Sequence, residues 1–265
     1  MADILNLGGR VSLVTGAGQG VGRQIALHLG GATNSGGVVV NDYVLERAEA
    51  VAEEVRAAGG KAIALQCDVS DHQAVKAMAE EAKGKLGPVG VLVNNAGNAG
   101  ANPSPELRKP FWETGPEVWQ SFIGVNFYGV MNCTAAVIPH MLERQAPGRI
   151  ITIISDAGRW GDANMEIYAA SKAGAAGFMR SVARTLGRHG ITANSIAIAL
   201  TATPAVQRTL EGDQERLKRQ LEKYIIRRPG QPDDIANMAL FLASDASSWI
   251  SGQVYPVNGG FTLAL

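Results

Sequence analysis

Along the chain, short β-branched and apolar runs alternate with longer stretches whose apolar positions recur every three to four residues. The runs are RVSLVTG (10–16), GGVVVND (36–42), KAIALQCD (61–68), VGVLVNN (89–95), GRIITIIS (148–155), ITANSIAI (191–198) and GQVYPVNGG (252–260). Most are apolar without strict alternation, which predicts strands covered on both faces and therefore a parallel sheet. Between them, Leu45, Ala48, Val51, Ala52 and Val55 fall on one helical face, and Val75, Met78, Ala79, Ala82 and Leu86 fall on another. Strand, helix, strand in repetition predicts right-handed βαβ units and a doubly wound α/β fold with helices on both faces of the sheet. Two segments break the rhythm, a Pro-rich loop at 98–116 and a charged insert at about 200–229. Both follow strand C-terminal ends, where open α/β sheets bind ligands.

With 265 residues the chain is long for one domain, but α/β folds reach this length as one unit, and a single domain over 1–265 is expected. Hydrophobic residues make up 46% and charged residues 18%, and 24 basic side chains balance 24 acidic ones. With no net field, neither nucleic acid nor a membrane surface is an expected partner. The opening MADILNLGGR has no basic segment followed by an apolar run and a small-residue cleavage site, and no apolar stretch approaches the roughly 20 residues that cross a bilayer. A cytoplasmic protein is expected. Cys67 and Cys133 show no CxxC spacing, so neither a disulfide scaffold nor a metal site is predicted, and both read as buried small apolar residues.

Candidate chemistry starts at TGAGQGVG (15–22), which follows the first strand and opens a helix. In that context Gly16, Gly20 and Gly22 let backbone approach a pyrophosphate at the helix N-terminus, with Gln19 and Val21 between them. The spacing is GxxxGxG. Further on come NNAG (94–97), with Asn95, Ala96 and Gly97, and YAASK (168–172), with Ser155 thirteen residues before Tyr168 and Asn126 in the preceding helix.

In this combination and order, the sequence resembles the short-chain dehydrogenase/reductase family from about Arg10 to about Phe261. The resemblance implies a Rossmann-type fold with a seven-stranded parallel sheet, a nicotinamide cofactor, a small-molecule substrate and a homotetramer. It also implies a catalytic set of Asn126, Ser155, Tyr168 and Lys172. Positions i and i+4 share a helix face, so the Lys172 ammonium is expected beside the Tyr168 hydroxyl, lowering its pKa from near 10 toward that of a usable base. Ser155 would hydrogen-bond the substrate oxygen as charge develops there. The resemblance adds that Lys172 also meets the nicotinamide ribose and that Asn126 holds a water in a proton relay. The small residues around Tyr168 would let the helix from about Glu166 to Leu186 lie close to the cofactor and to a sister subunit.

Asp42, just past the second strand, is placed to accept from the adenosine ribose hydroxyls and to repel a 2′-phosphate. The alternative is that it only caps the helix starting near Val44. Where NADP-using family members commonly carry Arg or Lys, this chain has Gln19 and Tyr43, with Arg47 farther along. NAD is the expected cofactor. Asp68, before Val69, matches the family's adenine-contacting aspartate, and equally suits a cap for the following turn. One departure is plain: the family's usual Pro-Gly after the sixth strand is replaced by Ile198 and Ala199, which relaxes both backbone constraints, while Thr203 still aligns with the hydroxyl that contacts the carboxamide.

For the substrate, Phe111, Trp112 and Trp160 suggest an apolar pocket, or else simple loop packing. The insert carries Arg208, Arg216, Lys218, Arg219, Lys223, Arg227 and Arg228 against Glu211, Asp213, Glu215 and Glu222. Either these form a solvated helix with pairs such as Glu215 and Arg219, or some of them, with Arg108 and Lys109, receive the phosphates of a thioester carrier. The function read here is hydride transfer between NAD(H) and a secondary alcohol or ketone, on a thioester or on a free cyclic or steroid-like alcohol. A catalytically silent NAD-binding sensor is the other class.

Overall fold

The computed structural model describes residues 4–97, 104–204, 206 and 214–263. Seven strands form one sheet in the order β3-β2-β1-β4-β5-β6-β7. They are β1 (Val11–Val14), β2 (Gly37–Asp42), β3 (Ala62–Gln66), β4 (Val89–Asn94), β5 (Arg149–Ser155), β6 (Thr192–Ile198) and β7 (Val254–Val257). All neighbours pair in parallel. The chain moves outward from β1 to β3 and then crosses to β4 on the other side of β1, so the strand order reverses there. At that point the connections diverge to opposite faces and a crevice opens beyond the strand C-terminal ends.

The helices among the described residues are α1 (Gly20–Gly31), α2 (Leu45–Ala57), α3 (His72–Leu86), α4 (Pro116–Ile123), α5 (Gly129–Glu143), α6 (Ala157–Trp160), α7 (Glu166–Leu186), α8 (Gln214–Leu221) and α9 (Pro232–Ala243). On one face, α1, α2 and α9 bury Ile25, Leu29, Val51, Val55, Ile235 and Leu242 against strand residues such as Val38, Val40 and Val93. On the other, α3, α5 and α7 bury Val75, Met78, Val137, Met141, Met179 and Leu186 against Leu13, Leu92 and Ile150. Each fully buried aliphatic side chain contributes about 1.5–3 kcal/mol, so these layers dominate stability. Asp71 starts α3 by accepting from the Gln73 and Ala74 amides.

One expectation needs correcting. Pro116–Glu143 forms a continuous helical run of 28 residues whose most apolar stretch has a mean hydropathy of 1.4, long and apolar enough by length and composition to cross a membrane. It is built from α4, a π-helical turn at Gly124–Tyr128, and α5. Val130, Cys133, Val137 and Met141 on this run pack into the sheet, as in a core helix.

At the opposite end of the sheet from the crevice, Arg149 (1% exposed) and Arg10 (4%) converge on Asp245. Arg149 also donates to the Ser244 carbonyl (3.1 Å) and the Gly148 carbonyl (2.9 Å). Arg10 donates to Pro147 O (3.0 Å) and Leu7 O (2.7 Å). Burial, with the neighbouring Arg10 charge, brings the Arg149 guanidinium down to about 10. One carboxylate is therefore shared by two buried cations, which also donate to backbone carbonyls.

Candidate active site

A cleft of about 970 Å³ occupies the crevice. Its floor begins at the turn after β1, where Gly16 (φ +60°) and Gly20 (φ +57°) adopt left-handed backbone that glycine tolerates best. At Gly22 a Cβ would lie 2.3 Å from Gly16 O and 2.4 Å from Asn95 Nδ2, so only glycine fits. The turn is tied to β4: Thr15 Oγ1 accepts from the Asn95 and Ala96 amides at 3.0 Å each, and Asn95 Nδ2 donates to Thr15 O (2.9 Å) and Gly16 O (3.0 Å). Asn95 thus holds the glycine turn in place and occupies two of its carbonyls.

At the β2 end, Asp42 lines the cleft and is 7% exposed. Its Oδ2 accepts from Gly18 N (2.9 Å) and its Oδ1 from Val44 N (3.0 Å). The capping reading of Asp42 is therefore realised in part, while the carboxylate still faces the cleft. Asp68 bonds the Ser70 amide (2.9 Å) and hydroxyl (2.7 Å), so it too caps its own turn while lining the cleft beside Val69. Gln19, Val21, Tyr43, Ala96, Gly97 and Thr203 line the cleft as well, and a Cβ on Gly20 would touch Thr203 Cγ2 at 3.2 Å.

At the other end stand the hydroxyls and the lysine. Ser155 ends β5, and its Oγ accepts from Ala157 N (3.2 Å). It lies close enough to the Tyr168 hydroxyl, which rides on α7, to favour that group's charged form. Phe122 packs edge-on against the Tyr168 ring, with centroids 6.0 Å apart. Lys172, one turn along α7, is 4% exposed, donates to Ile153 O (2.9 Å), and has its Nζ 5.9 Å from the centre of the Tyr168 ring. Burial brings its ammonium down to about 8.

The expected lowering of the Tyr168 pKa does not appear. Burial raises it, and the neighbouring Ser155 hydroxyl works against that rise. The cation's attraction is outweighed by desolvation, which acts on both partners and favours their neutral forms.

Asn126 lies in the π-helical turn, fully buried. Gly129 N bonds Gly124 O five residues back, and Asn126 Nδ2 donates to Phe122 O (2.8 Å). A Cβ on Gly97 would be 3.0 Å from both Asn126 Oδ1 and Lys172 Nζ. Asn126, Gly97 and Lys172 therefore meet at one point.

The opposite wall was missed by sequence reading. Glu117, Gln120, Ser121 and Gly124 line the cleft from α4 and the π turn. Their i, i+3, i+4, i+7 spacing, polar in an otherwise apolar helix, was the available signal. Asp156, 1% exposed, pairs with Arg159 (2.6 Å) and accepts from Asn258 Nδ2 (2.6 Å), binding the turn after Ser155 to the C-terminal segment.

The expected substrate aromatics do not line this cleft. Phe111 and Trp112 pack edge-to-face on each other at 5.5 Å, and Trp160 is 72% exposed. Arg208, Glu211, Asp213 and residues 98–103, with the side chains of Arg108 and Arg216, lie outside the described residues. Glu215 and Arg219 form no ion pair among the described residues. Lys109 pairs with Glu106, and Arg228 grips Asp234 through both nitrogens (2.7 and 2.9 Å).

Residues 16–262 match the enoyl-(acyl carrier protein) reductase family. The chain is 39% identical over 259 residues to 7alpha-hydroxysteroid dehydrogenase of Escherichia coli K12, covering 98% of this chain and 96% of the relative. The chain belongs to the short-chain dehydrogenase/reductase family. Another relative of this family, the 3-oxoacyl-[acyl-carrier-protein] reductase FabG of Staphylococcus aureus, is 39% identical over 251 residues, covering 94% of this chain and 96% of FabG. A 7α-hydroxysteroid dehydrogenase structure complexed with NADH and 7-oxo glycochenodeoxycholic acid superposes with a TM-score of 0.88 at 37% identity, covering 98% of each chain. Gluconate 5-dehydrogenase from Burkholderia cenocepacia, in complex with NADP and tartrate, gives 0.88 at 32% identity, covering 99% of each. As a short-chain dehydrogenase/reductase the chain is an oxidoreductase of CH–OH groups using a nicotinamide cofactor, which sets aside the silent sensor.

Proposed function

We propose that this enzyme transfers a hydride between NAD(H) and a secondary alcohol or ketone held at Ser155 and Tyr168. The observation that carries this reading is Tyr168 beside the buried Lys172 at one end of a cleft whose other end is a glycine cradle, with Ser155 next to them at the end of β5. The cradle fits a dinucleotide: added Cβ atoms would crowd it at Gly20 and Gly22. When bound, the nicotinamide supplies the carbon that accepts or gives the hydride.

This chain's residues handle the proton and the oxygen. Ser155 hydrogen-bonds the substrate oxygen and fixes its distance from Tyr168 Oη. Tyr168, kept protonated by burial, gives its proton to a ketone oxygen in reduction and takes it from an alcohol in oxidation. Lys172 places a positive charge, held by Ile153 O, on the side of the phenol where negative charge develops. Asn126, next to Gly97 and Lys172, keeps that lysine end of the cleft polar.

NAD is favoured over NADP because the Asp42 carboxylate is fixed at the cleft edge by two backbone donors, with uncharged Gln19 and Tyr43 nearby. Arg47, farther along the sequence, lines the same end of the cleft and is, among the described residues, the one cation there that a 2′-phosphate could meet. For the substrate, we favour a free alcohol with an apolar body over a carrier thioester, since two nominated cations, Lys109 and Arg228, are already spent on carboxylates. A homotetramer in the cytoplasm is part of the same reading. Its support is the open sheet edge at β7 and the neighbouring Trp249, which is 99% exposed. Light scattering at micromolar concentration tests the assembly, and a stable monomer would refute it.

The central experiment is Tyr168→Phe, assayed with a panel of secondary alcohols and ketones. Turnover should fall at least a hundredfold while NADH affinity stays within about twofold. Retention of a tenth of wild-type kcat on a verified substrate would remove Tyr168 as the acid/base. For the substrate class, KM of a hydroxyacyl-CoA should rise with salt only if exposed cations receive its phosphates.

A further inference from the structure

Directly after β6, residues 199–203 include neither proline nor glycine, yet Ile198, Ala199, Leu200 and Thr201 wall the same cleft as Tyr168 and Lys172. Ile198 pairs in register with Ser155, so this segment leaves the sheet beside the reacting hydroxyls. On the cofactor reading above, hydride passes between a carbon held at Ser155 and Tyr168 and the nicotinamide ring. The ring must therefore lie at this end of the cleft, against this wall. A wall of ordinary residues leaving a strand needs something to fix its backbone.

Tyr224, 26 residues beyond Ile198 and just after α8, supplies that fixation. It is 4% exposed, and its hydroxyl accepts from Leu200 N at 3.1 Å. The Leu200 carbonyl is held in turn by Gly230 N (2.9 Å), and Ala202 N donates to Gly230 O (2.8 Å), so Leu200 is pinned on both sides of its Cα. The Tyr224 ring is clamped as well. Phe261 stacks on it with centroids 4.9 Å apart, and a Cβ on Gly259 would reach its Cδ1 at 3.3 Å. Ile226 N bonds Gly259 O at 2.8 Å, and Asn258 reaches Asp156 beside Ser155.

We propose that Tyr224 is a positioning residue for the nicotinamide end of the cleft, holding by one hydrogen bond to Leu200 the backbone that a Pro-Gly pair would hold through its own conformational limits. Proline fixes φ covalently, whereas here the constraint comes from a phenol that is itself locked in place. Tyr224 touches neither substrate nor cofactor and acts through Leu200. Its effect should therefore fall on ligands that contact the wall, not on those that occupy only the glycine cradle.

The test is Tyr224→Phe, which keeps the ring and its stack on Phe261 and removes only the oxygen. NADH binding is measured by fluorescence titration and ADP-ribose binding by calorimetry; ADP-ribose lacks the nicotinamide ring. The variant should bind NADH about three- to tenfold more weakly, the range of one lost neutral hydrogen bond, with ADP-ribose unchanged within twofold. In an I198P/A199G background the same substitution should cost less than twofold, because the backbone is then constrained without the phenol. Equal weakening of both ligands would mean a general loosening and overturn the proposal, as would unchanged NADH affinity or an undiminished loss in the I198P/A199G background. A wild-type protein that bound neither ligand would instead overturn the cofactor reading on which the proposal rests.

Discussion

Replacing Lys172 by methionine should make the cofactor-free enzyme more stable while ruining it as a catalyst. Burial lowers the ammonium from 10.5 to about 8. At ~1.4 kcal/mol for each pH unit between those values, carrying the charge in the folded state costs roughly 3 kcal/mol at pH 7. Methionine avoids this cost and roughly keeps the volume. It forfeits the bond to Ile153 O, which offsets about 1 kcal/mol. A net gain of about 2 kcal/mol is expected, or roughly 4–8 °C in Tm for a domain of this size.

The pH dependence follows from the direction of the shift. A folded-state pKa below the unfolded one means the unfolded chain binds more protons between about pH 8 and 10.5, so wild-type stability rises through that window. Below pH 8 the cost is constant. The Lys172→Met variant lacks the rise, and its advantage should be full at pH 7 and shrink toward pH 10. Urea unfolding at matched protein concentration, without cofactor, measures both curves. A variant less stable than wild type at pH 7, or an advantage that does not narrow with pH, would refute the reasoning.

Four further outcomes are expected. Asp245→Asn leaves the Arg10 and Arg149 cations without their shared carboxylate and should cost about 2–4 kcal/mol in urea unfolding; a loss under 0.5 kcal/mol would show that their carbonyl partners suffice. Gly22→Ala places a methyl 2.3 Å from Gly16 O and should weaken NADH binding at least ~tenfold by fluorescence titration. Asp42→Ala should narrow the NAD preference, since a carboxylate about 4 Å from a 2′-phosphate repels it by ~1–4 kcal/mol; steady-state constants for both cofactors check this, and a wild-type preference for NADPH would contradict the assignment. Because burial raises the Tyr168 pKa, ketone reduction should vary little from pH 6 to 8 while alcohol oxidation climbs with pH; oxidation that is flat from pH 7 to 9 would argue against Tyr168 as proton acceptor.

What the sequence revealed was whatever depends on local pattern. Apolar runs placed all seven strands, and glycine spacing located the cradle, because backbone sterics are written into adjacent residues. Every predicted cofactor contact lines the cleft, although Asp42 and Asp68 also cap their own turns. The Ser155–Tyr168 pair followed from motif spacing, but the direction of the Tyr168 shift did not, since burial is a property of the packed interior. Tyr224 and Asp156 were invisible for a related reason. Their partners, Leu200 and Asn258, lie 24 and 102 residues away, and nothing in either neighbourhood marks the meeting. For Phe111, Trp112 and Trp160 the sequence left pocket wall and loop packing equally open, because residue type says nothing of which way a loop turns.

The π-helical turn at Gly124–Tyr128 also sets the rotational phase between the two halves of one long helical run. It widens the helix by one residue within the long run from Pro116 to Glu143, and α4 before it walls the cleft while α5 after it fills the core. Winding these same residues as regular α-helix, with none removed, would rotate one half against the other by about 100°. Glu117 and Gln120 would swing off the cleft, or Val137 and Met141 off the sheet, and Asn126 would lose its place beside Lys172. Within these five residues the extra residue must therefore stay wound as a π turn, and a change that favours regular α geometry at unchanged length works against the enzyme.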